Sequence, residues 1–323
     1  MTALRLCILL ALTVAASAAP TMSAAQQWPT RPIRFIVPFP AGGSTDVGAR
    51  IVGEQLSRVL GQQVVIENKS GANGNVGMEA AAKAAPDGHT VLVTTDSVTS
   101  NPHVYKAAVD PLKELMAVIE LSRQPVALAA HPSLGATTLA ELTALAKQQP
   151  GLRFATGSGV GSPQAMVALW YAQLAGISLE QVPYRGGGQA INDLIAGHIK
   201  LGSLGSTPLI PHYKVGTLKL LAQSTAARSP GLLDVPTFRE AGFNELIVDQ
   251  WLGVFVPPGT PLSIAERLNV EIGKILRNDK VKTSFAEQAQ ETVGGTMQQF
   301  SQQVRDDYEK FARLVKQLNV KAE

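Results

Sequence analysis

Cysteine is almost missing from the sequence: among 323 residues there is one, Cys7, close to the amino terminus. A disulfide framework is therefore excluded, and the fold must depend on buried apolar surface, which a chain of this length can supply. Residues 3–6, which precede Cys7, read ALRL and do not resemble a lipobox. We therefore expect neither a disulfide nor a lipid anchor at this cysteine.

Aromatic residues are also scarce, at 5% of the chain, and basic residues nowhere form a run of five or more. The formal net charge is +3, from 28 basic and 25 acidic side chains. Proteins that bind nucleic acids usually combine a basic patch with aromatic side chains on which bases stack. We therefore expect no nucleic-acid partner.

Long apolar runs are absent after residue 25, so nothing there reaches the roughly 18 residues of a membrane-spanning helix. The amino terminus itself has one arginine, Arg5, an apolar run at 6–16, and then small residues. This layout predicts a secretory signal peptide over residues 1–25. Ser23 and Ala25 favour cleavage before Gln26, although Ala16 and Ala18 form a second small-x-small site.

Catalytic, metal and nucleotide motifs are equally hard to find. The five histidines (positions 89, 103, 131, 198 and 212) show no HxxxH or HExxH spacing. The loop GSGVGS at 157–162 has a serine where a dinucleotide fingerprint needs its third glycine, and it lacks the GxSxG pattern of a nucleophile elbow. We expect no metal and no cofactor, while a carboxylate pair or serine nucleophile assembled from distant positions stays open.

Strands and helices alternate in two series, which predicts an α/β protein with a mostly parallel sheet. The first series has strands at 33–39, 63–69 and 89–95 and helices at 47–60 and 75–85. The second has strands at 125–132, 152–158, 179–184 and 218–224, with helices at 138–149, 162–176 and 189–197. We interpret the second series as a separate α/β unit.

The carboxyl-terminal part is predicted to be a strand at 250–261 followed by helices. In the last helix Phe300, Val304, Tyr308, Phe311, Val315 and Leu318 recur at helical spacing and predict a core-facing stripe. We expect the neighbouring pair Asp306 and Asp307 to lie on the solvated face of this helix.

Three glycine-rich loops each follow a predicted strand and precede a predicted helix: VPFPAGGSTD at 37–46, ATGSGVGSPQ at 155–164 and PYRGGGQ at 183–189. The first turn of a helix has backbone N–H groups without partners and a partial positive charge. Glycine lets a ligand approach those groups, and carboxylates and phosphates are the natural guests. The alternative is that each loop is only a tight turn of an α/β protein.

Seven segments, taken in order, resemble the Bug family, the extracytoplasmic solute receptors of tripartite tricarboxylate transporters. They are WPTRPIRFIVPFPAGGSTD, IENKSGANGNVG, PDGHT, ATGSGVGS, VPYRGGGQAINDLIAG, DVPTFREAG and QWLGVFVPPGTP, and they span nearly the whole chain after residue 25. The resemblance implies a two-domain fold like that of type II periplasmic binding proteins, a Venus flytrap with hinge strands. One domain would comprise residues 26–123 and 250–323, and the other residues 124–249, with crossings near SRQP and VDQW.

The resemblance also implies a ligand site between the domains. The implied ligand-binding residues are Phe39, Ala41, Gly42, Gly43, Ser44 and Asp46 from the first loop, Ser158, Gly159, Gly161, Ser162 and Gln164 from the second, and Tyr184, Arg185 and Gly186 from the third. We expect backbone N–H groups near Gly43 and Ser44, and near Gly161 and Ser162, to hold carboxylate oxygens from opposite sides. For Asp46 we expect a bracing role within its loop.

Two departures from the family pattern bear on the ligand. Gln164 stands where a histidine is frequent, and LGSLGSTP at 201–208 lacks an acidic residue often found there. We therefore expect a mono- or dicarboxylate without an amino group. The implied protein is a periplasmic monomer that passes its solute to membrane transporter subunits and is not an enzyme. The alternatives are a solute sensor for a membrane signalling partner or an exported α/β enzyme acting on a small carboxylic acid.

Overall fold

The computed structural model describes residues 28–321, so the expected signal peptide and its cleavage site lie outside the described residues. The strands are β1 (Ile33–Val37), β2 (Val64–Asn68), β3 (Thr90–Thr95), β4 (Met116–Ala130), β5 (Leu152–Thr156), β6 (Leu179–Pro183), β7 (Leu201–Gly205), β8 (Lys219–Gln223), β9 (Asp249–Val256) and β10 (Glu291–Gly294). The helices are α1 (Ser44–Leu60), α2 (Asn75–Ala82), α3 (Ser97–Ser100), α4 (Leu139–Gln148), α5 (Pro163–Ala175), α6 (Gly187–Ile195), α7 (Ile210–Lys214), α8 (Leu262–Leu276), α9 (Asp279–Ala286) and α10 (Met297–Gln317). No helix in this range is long and apolar enough to cross a membrane.

The strands form one continuous hydrogen-bonded path in the order β2-β1-β3-β9-β4-β7-β5-β6, and β8 and β10 also pair with β4. The two ends of this path are parallel, because β1 pairs in parallel with β2 and β3, and β5 with β6 and β7. The middle is antiparallel, since β9 runs opposite to both β3 and β4. The prediction of parallel α/β series therefore applies to the two ends.

The crossing between the two ends is made by β4 and β9, which we call the crossing strands. β4 has 15 residues and pairs with β9 from Met116 to Pro125, and then with β7 from Val126 onward. The change of partner occurs at Pro125–Val126, at the end of the SRQP segment near which a crossing was expected from sequence. The predicted strand at 125–132 was thus only the second half of a longer strand, and β7 was not predicted.

Two apolar regions flank the crossing strands and define two units. The first unit packs α1 and α8 against β1, β3 and β9, with Phe35, Leu56 and Phe285 in its core. The second unit packs α4 and α5 against β5, β7 and β8, with Phe154, Tyr171 and Phe238 in its core. The last turns of α10 contribute Phe311 and Val315 to this second core, whereas the sequence analysis assigned all of 250–323 to the first domain.

Local sequence explains where the helices begin and end. Gly61 follows α1 with φ of 66°, a left-handed conformation that favours glycine. Ser162 caps α5 by accepting a hydrogen bond from the Ala165 N–H, and Pro163 occupies the first helical position. Helix α10 begins with a capping box in which Thr296 and Gln299 exchange side-chain and backbone hydrogen bonds.

The prediction that both Asp306 and Asp307 face solvent is wrong for Asp307. This carboxylate is 7% exposed and accepts a 2.7 Å hydrogen bond from the indole Nε1 of Trp251 and a 2.8 Å bond from Gln303 Nε2. Asp306 is exposed, as expected. The reason for the difference is that β9 presents a donor at the point where α10 crosses it, and periodicity within α10 cannot reveal this partner.

Candidate functional site

The first glycine-rich loop, residues 37–46, places the amino terminus of α1 at the space between the two units. Gly43 is the residue before the helix, and within the described chain no side chain caps it. The first N–H groups of this 17-residue helix are therefore free to meet a ligand. Gly43, Ser44 and Thr45, at the start of this helix, all line one cavity between the two units.

Asp46 stabilises this loop by hydrogen bonds and does not line the cavity. Its Oδ2 accepts a 3.0 Å hydrogen bond from the Gly42 N–H, and its two oxygens each accept a 2.9 Å bond from the guanidinium of Arg50. Asn68 Nδ2 donates both to Asp46 Oδ1 and to the carbonyl of Phe39. Burial opposes ionisation of Asp46, but the bonds from Arg50, Gly42 and Asn68 outweigh it and lower the pKa of this carboxyl below its ordinary value.

The second unit presents a matching helix end from the opposite side. Gly186 precedes α6 in an extended conformation and, in the part of the chain that the structure describes, it too has no side-chain cap. Gly187, the first residue of α6, lines the same cavity as Gly43. Two helix amino termini, one from each unit, therefore border one space.

We call this space the inner cavity. It is lined by Phe39, Pro40, Gly43, Ser44, Thr45, Thr95, Gly157, Ser158, Gln164, Gly187, Leu204, Gly205, Pro208 and Gln250. Its volume is about 30 Å³, which suffices for little more than one water molecule. A ligand of several carbon atoms is larger than this cavity.

An outer groove of about 510 Å³ lies beside the inner cavity. Phe39 and Ser158 line both spaces, and the groove continues along Gly159, Tyr184 and Arg185. Tyr184 donates a 2.7 Å hydrogen bond from its hydroxyl to Asp193 Oδ2. Burial together with this carboxylate raises the pKa of Tyr184 to about 12, so its hydroxyl keeps its proton at neutral pH.

The two units touch across the mouth of the site. The Gly159 N–H of the second unit donates a 3.0 Å hydrogen bond to Asn73 Oδ1 of the first, and the Tyr105 hydroxyl donates a 2.8 Å bond to the carbonyl of Val160. Gly186 approaches Pro40 so closely that an added Cβ would lie 2.8 Å from the proline Cγ. These contacts join the two units across the site.

The residues implied by the family resemblance fall into three groups. Phe39, Gly43, Ser44, Ser158 and Gln164 line the inner cavity, and Gly159, Tyr184 and Arg185 line the outer groove. Ala41, Gly42, Asp46, Gly161, Ser162 and Gly186 line neither space but belong to the loops that carry the lining residues.

The structure differs from the role expected of Ser162. Its N–H already donates to the carbonyl of Gly159, its hydroxyl caps α5, and the residue has no exposed surface. Gly161 packs against Val104, since an added Cβ would lie 2.5 Å from the valine Cγ2. In the second unit the free helix amino terminus next to the cavity is therefore that of α6, not that of α5.

Several lining residues, above all Thr95 and Gln250, are not among those expected from sequence. Thr95 ends β3, which lies beside β1, so its place at the carboxyl end of a predicted strand was a usable signal. Gln250 is 2% exposed in a crossing strand whose other residues are mostly apolar. A glutamine in such a strand was a second signal, because buried amides are kept where they have partners.

The inner cavity has no formal charge on its walls. Within residues 28–321 no Asp, Glu, Lys, Arg or His side chain lines it, and no three metal-ligating side chains are grouped. The positive potential at the site therefore comes from backbone N–H groups and helix ends. Such a surface attracts an anion and offers no counter-charge to an ammonium group.

Comparison with known proteins gives a consistent result. Residues 48–320 match the family model described as tripartite tricarboxylate transporter family receptor. Protein BugT of Bordetella pertussis is 33% identical over 304 residues, which make up 92% of this chain and 92% of BugT.

Solved structures agree in fold. The periplasmic binding protein BugD superposes with a TM-score of 0.87 at 27% identity, over 91% of this chain and 100% of BugD. Rpa4515 of R. palustris with adipate superposes with a TM-score of 0.88 at 31% identity, again over 91% of this chain and 100% of that protein. The expected two-domain fold of periplasmic binding proteins is thereby confirmed.

Proposed function

The chain belongs to the tripartite tricarboxylate transporter receptor family, and on that premise we propose that it captures a small carboxylate in the cleft between its two units. The observation that carries this proposal is the pairing of two uncapped helix amino termini, at Gly43–Ser44 and Gly186–Gly187, across one cavity without charged walls. Each helix end stabilises an anion by about 0.3–2 kcal/mol. Because the two helix ends belong to opposite units, a carboxylate is stabilised by both of them when the units close around it.

The ligand in this proposal is a mono- or dicarboxylate without an amino group. No carboxylate among residues 28–321 lines the inner cavity to accept an ammonium. The adipate held by Rpa4515 is a dicarboxylate of the proposed class. Phe39, Ser44, Ser158 and Gln164 would contact the ligand, while Asp46 would keep its loop in place.

Closure in this proposal is a population shift between open and closed forms. The moving bodies would be residues 26–123 with most of 250–323 and residues 124–249, joined by the crossing strands, while the last turns of α10 stay packed in the core of the second unit. The bonds Gly159–Asn73 and Tyr105–Val160 would form on closure, because their partners belong to different units. A monomer is sufficient for such a receptor, and it performs no chemistry on its ligand.

The proposal also includes export and delivery. A periplasmic location follows from the family, and the signal peptide would be removed near Ala25. The closed, loaded receptor would be recognised by the membrane subunits of a tripartite tricarboxylate transporter.

Native mass spectrometry of the mature chain, mixed with a panel of small carboxylic acids, tests this function. We expect one acid to stay bound and to be released unchanged when the protein is unfolded. A protein that binds no carboxylate, or that converts one into a product, would overturn the proposal. A pull-down of membrane proteins with and without the bound acid then tests delivery to a transporter against presentation to a signalling protein.

A further inference from the structure

Gln164 and Gln250 reach the inner cavity from different units, and the orientation of each amide follows from its neighbours. The backbone N–H of Gly157 can only donate, and it lies 2.9 Å from Gln164 Oε1. The oxygen of this amide is therefore occupied, and Nε2 is the end left for a ligand. The amide stands at the second position of α5, and its backbone carbonyl accepts a 2.7 Å bond from the Ser203 hydroxyl.

The orientation of Gln250 is set by a relay of three groups. The backbone N–H of Thr207, which can only donate, lies 3.3 Å from Gln124 Oε1, and the Thr207 hydroxyl lies 3.0 Å from the same oxygen and 3.0 Å from the carbonyl of Gln288. Gln124 must therefore turn its Nε2 the other way, where it donates to Gln250 Oε1 at 3.1 Å. Gln250 lines the inner cavity and is left with the two hydrogens of its own Nε2 to offer there.

The relay is rigid because every member is buried. Gln124 is 5%, Thr207 4% and Gln250 2% exposed, and Gly205 leaves no room beside them, since an added Cβ would lie 2.7 Å from Gln250 Oε1. Reversing Gln124 would set its Nε2 against the Thr207 N–H and its Oε1 against Gln250 Oε1, and reversing Gln250 would set the two amide nitrogens against each other. Both glutamines consequently offer a donor, and not an acceptor, to a ligand in the cavity.

We propose that Gln164 and Gln250 are specificity-determining residues of the cleft, whose amide nitrogens donate to an oxygen acceptor at the ligand end away from the α1 amino terminus. This inference rests on the proposed function, because it takes for granted that a carboxylate binds in the cleft. The selected class is a carboxylic acid with a second oxygen function, foremost a second carboxylate. An acid that ends in a methyl group leaves both donors unpaired, and one that ends in an ammonium brings donors against donors.

The test compares Gln164→Glu and Gln250→Glu with the unaltered chain by isothermal titration calorimetry. The ligands are four-, five- and six-carbon acids whose far end is a carboxylate, a methyl group or an ammonium. Glutamate keeps the acceptor oxygen and the size of glutamine but replaces the donor with a second acceptor. At position 164 its charge also suits the first turn of α5, so this variant is expected to fold.

For the unaltered chain we expect dicarboxylates to bind at least about tenfold more tightly than methyl-ended acids of the same length. In each variant dicarboxylate affinity falls at least about tenfold, methyl-ended acids change less than about threefold, and ammonium-ended acids gain affinity. The matched control is Gln173→Glu on the exposed face of α5. This variant should leave the affinities for dicarboxylates, methyl-ended acids and ammonium-ended acids unchanged. Gln164→Glu carries the test alone if Gln250→Glu does not fold.

The outcomes separate the two proposals. If the unaltered chain binds none of the acids, the proposed function fails. If it binds dicarboxylates and Gln164→Glu leaves the preference among the three far ends unchanged, the function stands and the assignment of the donors is overturned.

Discussion

The indole Nε1 of Trp251 in β9 donates a 2.7 Å hydrogen bond to Asp307 of α10, and both residues are buried. This bond ties the carboxyl-terminal helix to a crossing strand, directly beside the cavity residue Gln250. The same helix packs its last turns into the core of the second unit. Asp307 is therefore a structural anchor between a crossing strand and the helix whose last turns pack in the second unit.

Asp307→Leu should destabilise the protein by about 2–3 kcal/mol, because it leaves the buried indole donor of Trp251 and the half-buried amide donor of Gln303 without an acceptor. Asp307→Asn should cost less, since its amide oxygen can still accept from the indole. Urea unfolding followed by tryptophan fluorescence measures both. Asp306→Asn is the matched control on the exposed face, and equal losses at 306 and 307 would contradict the assigned role.

Asp96 should make the free energy of unfolding depend on pH. Burial raises the pKa of this carboxyl well above its ordinary value of 3.8, and the charge of Asp307 raises it further. Above that ordinary value the unfolded chain has released the proton while the folded chain still holds it. Stability is therefore lost as the pH rises from about 4 toward the raised pKa, by at most about 1.4 kcal/mol per pH unit.

The variant Asp96→Asn removes this proton linkage. We expect it to be more stable than the unaltered chain at neutral pH, with an advantage that shrinks as the pH is lowered toward 4. Urea unfolding at several pH values, with the unaltered chain measured beside the variant, gives the difference. An advantage that stays constant across this range would show that Asp96 does not hold a proton in the folded chain.

Asp46 should show the opposite dependence. Burial disfavours its charge, but its hydrogen bonds lower its pKa below 3.8, so its stabilising contribution is present above that value and disappears as the pH falls through the depressed pKa. Asp46→Ala should cost about 1–2 kcal/mol at neutral pH, because Arg50 is half exposed and the ion pair is screened. It should also weaken ligand binding by loosening Gly42 and Gly43.

Unfolding and titration calorimetry at neutral and acidic pH check this prediction. Asp279→Ala is the control, since this acid also stands in the first turn of a helix but is almost fully exposed. A cost at position 46 that persists unchanged at acidic pH would count against the bracing role.

Gly186→Ala should weaken ligand binding with little effect on stability. The backbone at Gly186 is extended, with φ of −168°, so alanine adopts it without strain, but its Cβ would press on Pro40 of the other unit. Overpacking of this kind costs about 1–3 kcal/mol and falls on the closed form alone. We expect affinity to drop about tenfold or more, with the melting temperature of the ligand-free protein unchanged.

Gly188→Ala is the matched control for this change. It lies two residues further on, in the first turn of α6, and an added Cβ there meets no atom of the described residues within 4 Å. Equal losses of affinity at 186 and 188 would show that the contact with Pro40 does not limit closure.

Several features of the fold could be predicted from sequence because their causes are local. The end of α1 at Gly61 and the start of α5 at Ser162–Pro163 depend on the conformations of single residues. Strand β7 was missed because LGSLG has glycines and no β-branched residue, and only pairing with β4 and β5 on its two sides makes it a strand. The first half of β4 was missed because its polar residues interrupt the apolar pattern.

The candidate site was predictable in outline only. Glycine-rich loops after strands indicated which backbone segments would face a ligand, and Gly43, Ser44, Ser158 and Gln164 do meet around one cavity. Gln250 lies on a strand, 86 residues after Gln164, which lies on a helix, so no spacing rule connects them. That they line one cavity follows from the antiparallel crossing of β4 and β9.

The sequence by itself determined the two α/β series, the loops at their strand ends and the family. These depend on hydrophobic periodicity, on glycine and proline conformations and on ordered motifs, all of which act over a few residues. Tertiary structure alone decided which helix end is free, which amide nitrogen faces the cavity and which of two adjacent aspartates is buried. Each of these depends on a hydrogen-bond partner that is distant along the chain, and a buried polar group takes its orientation from that partner.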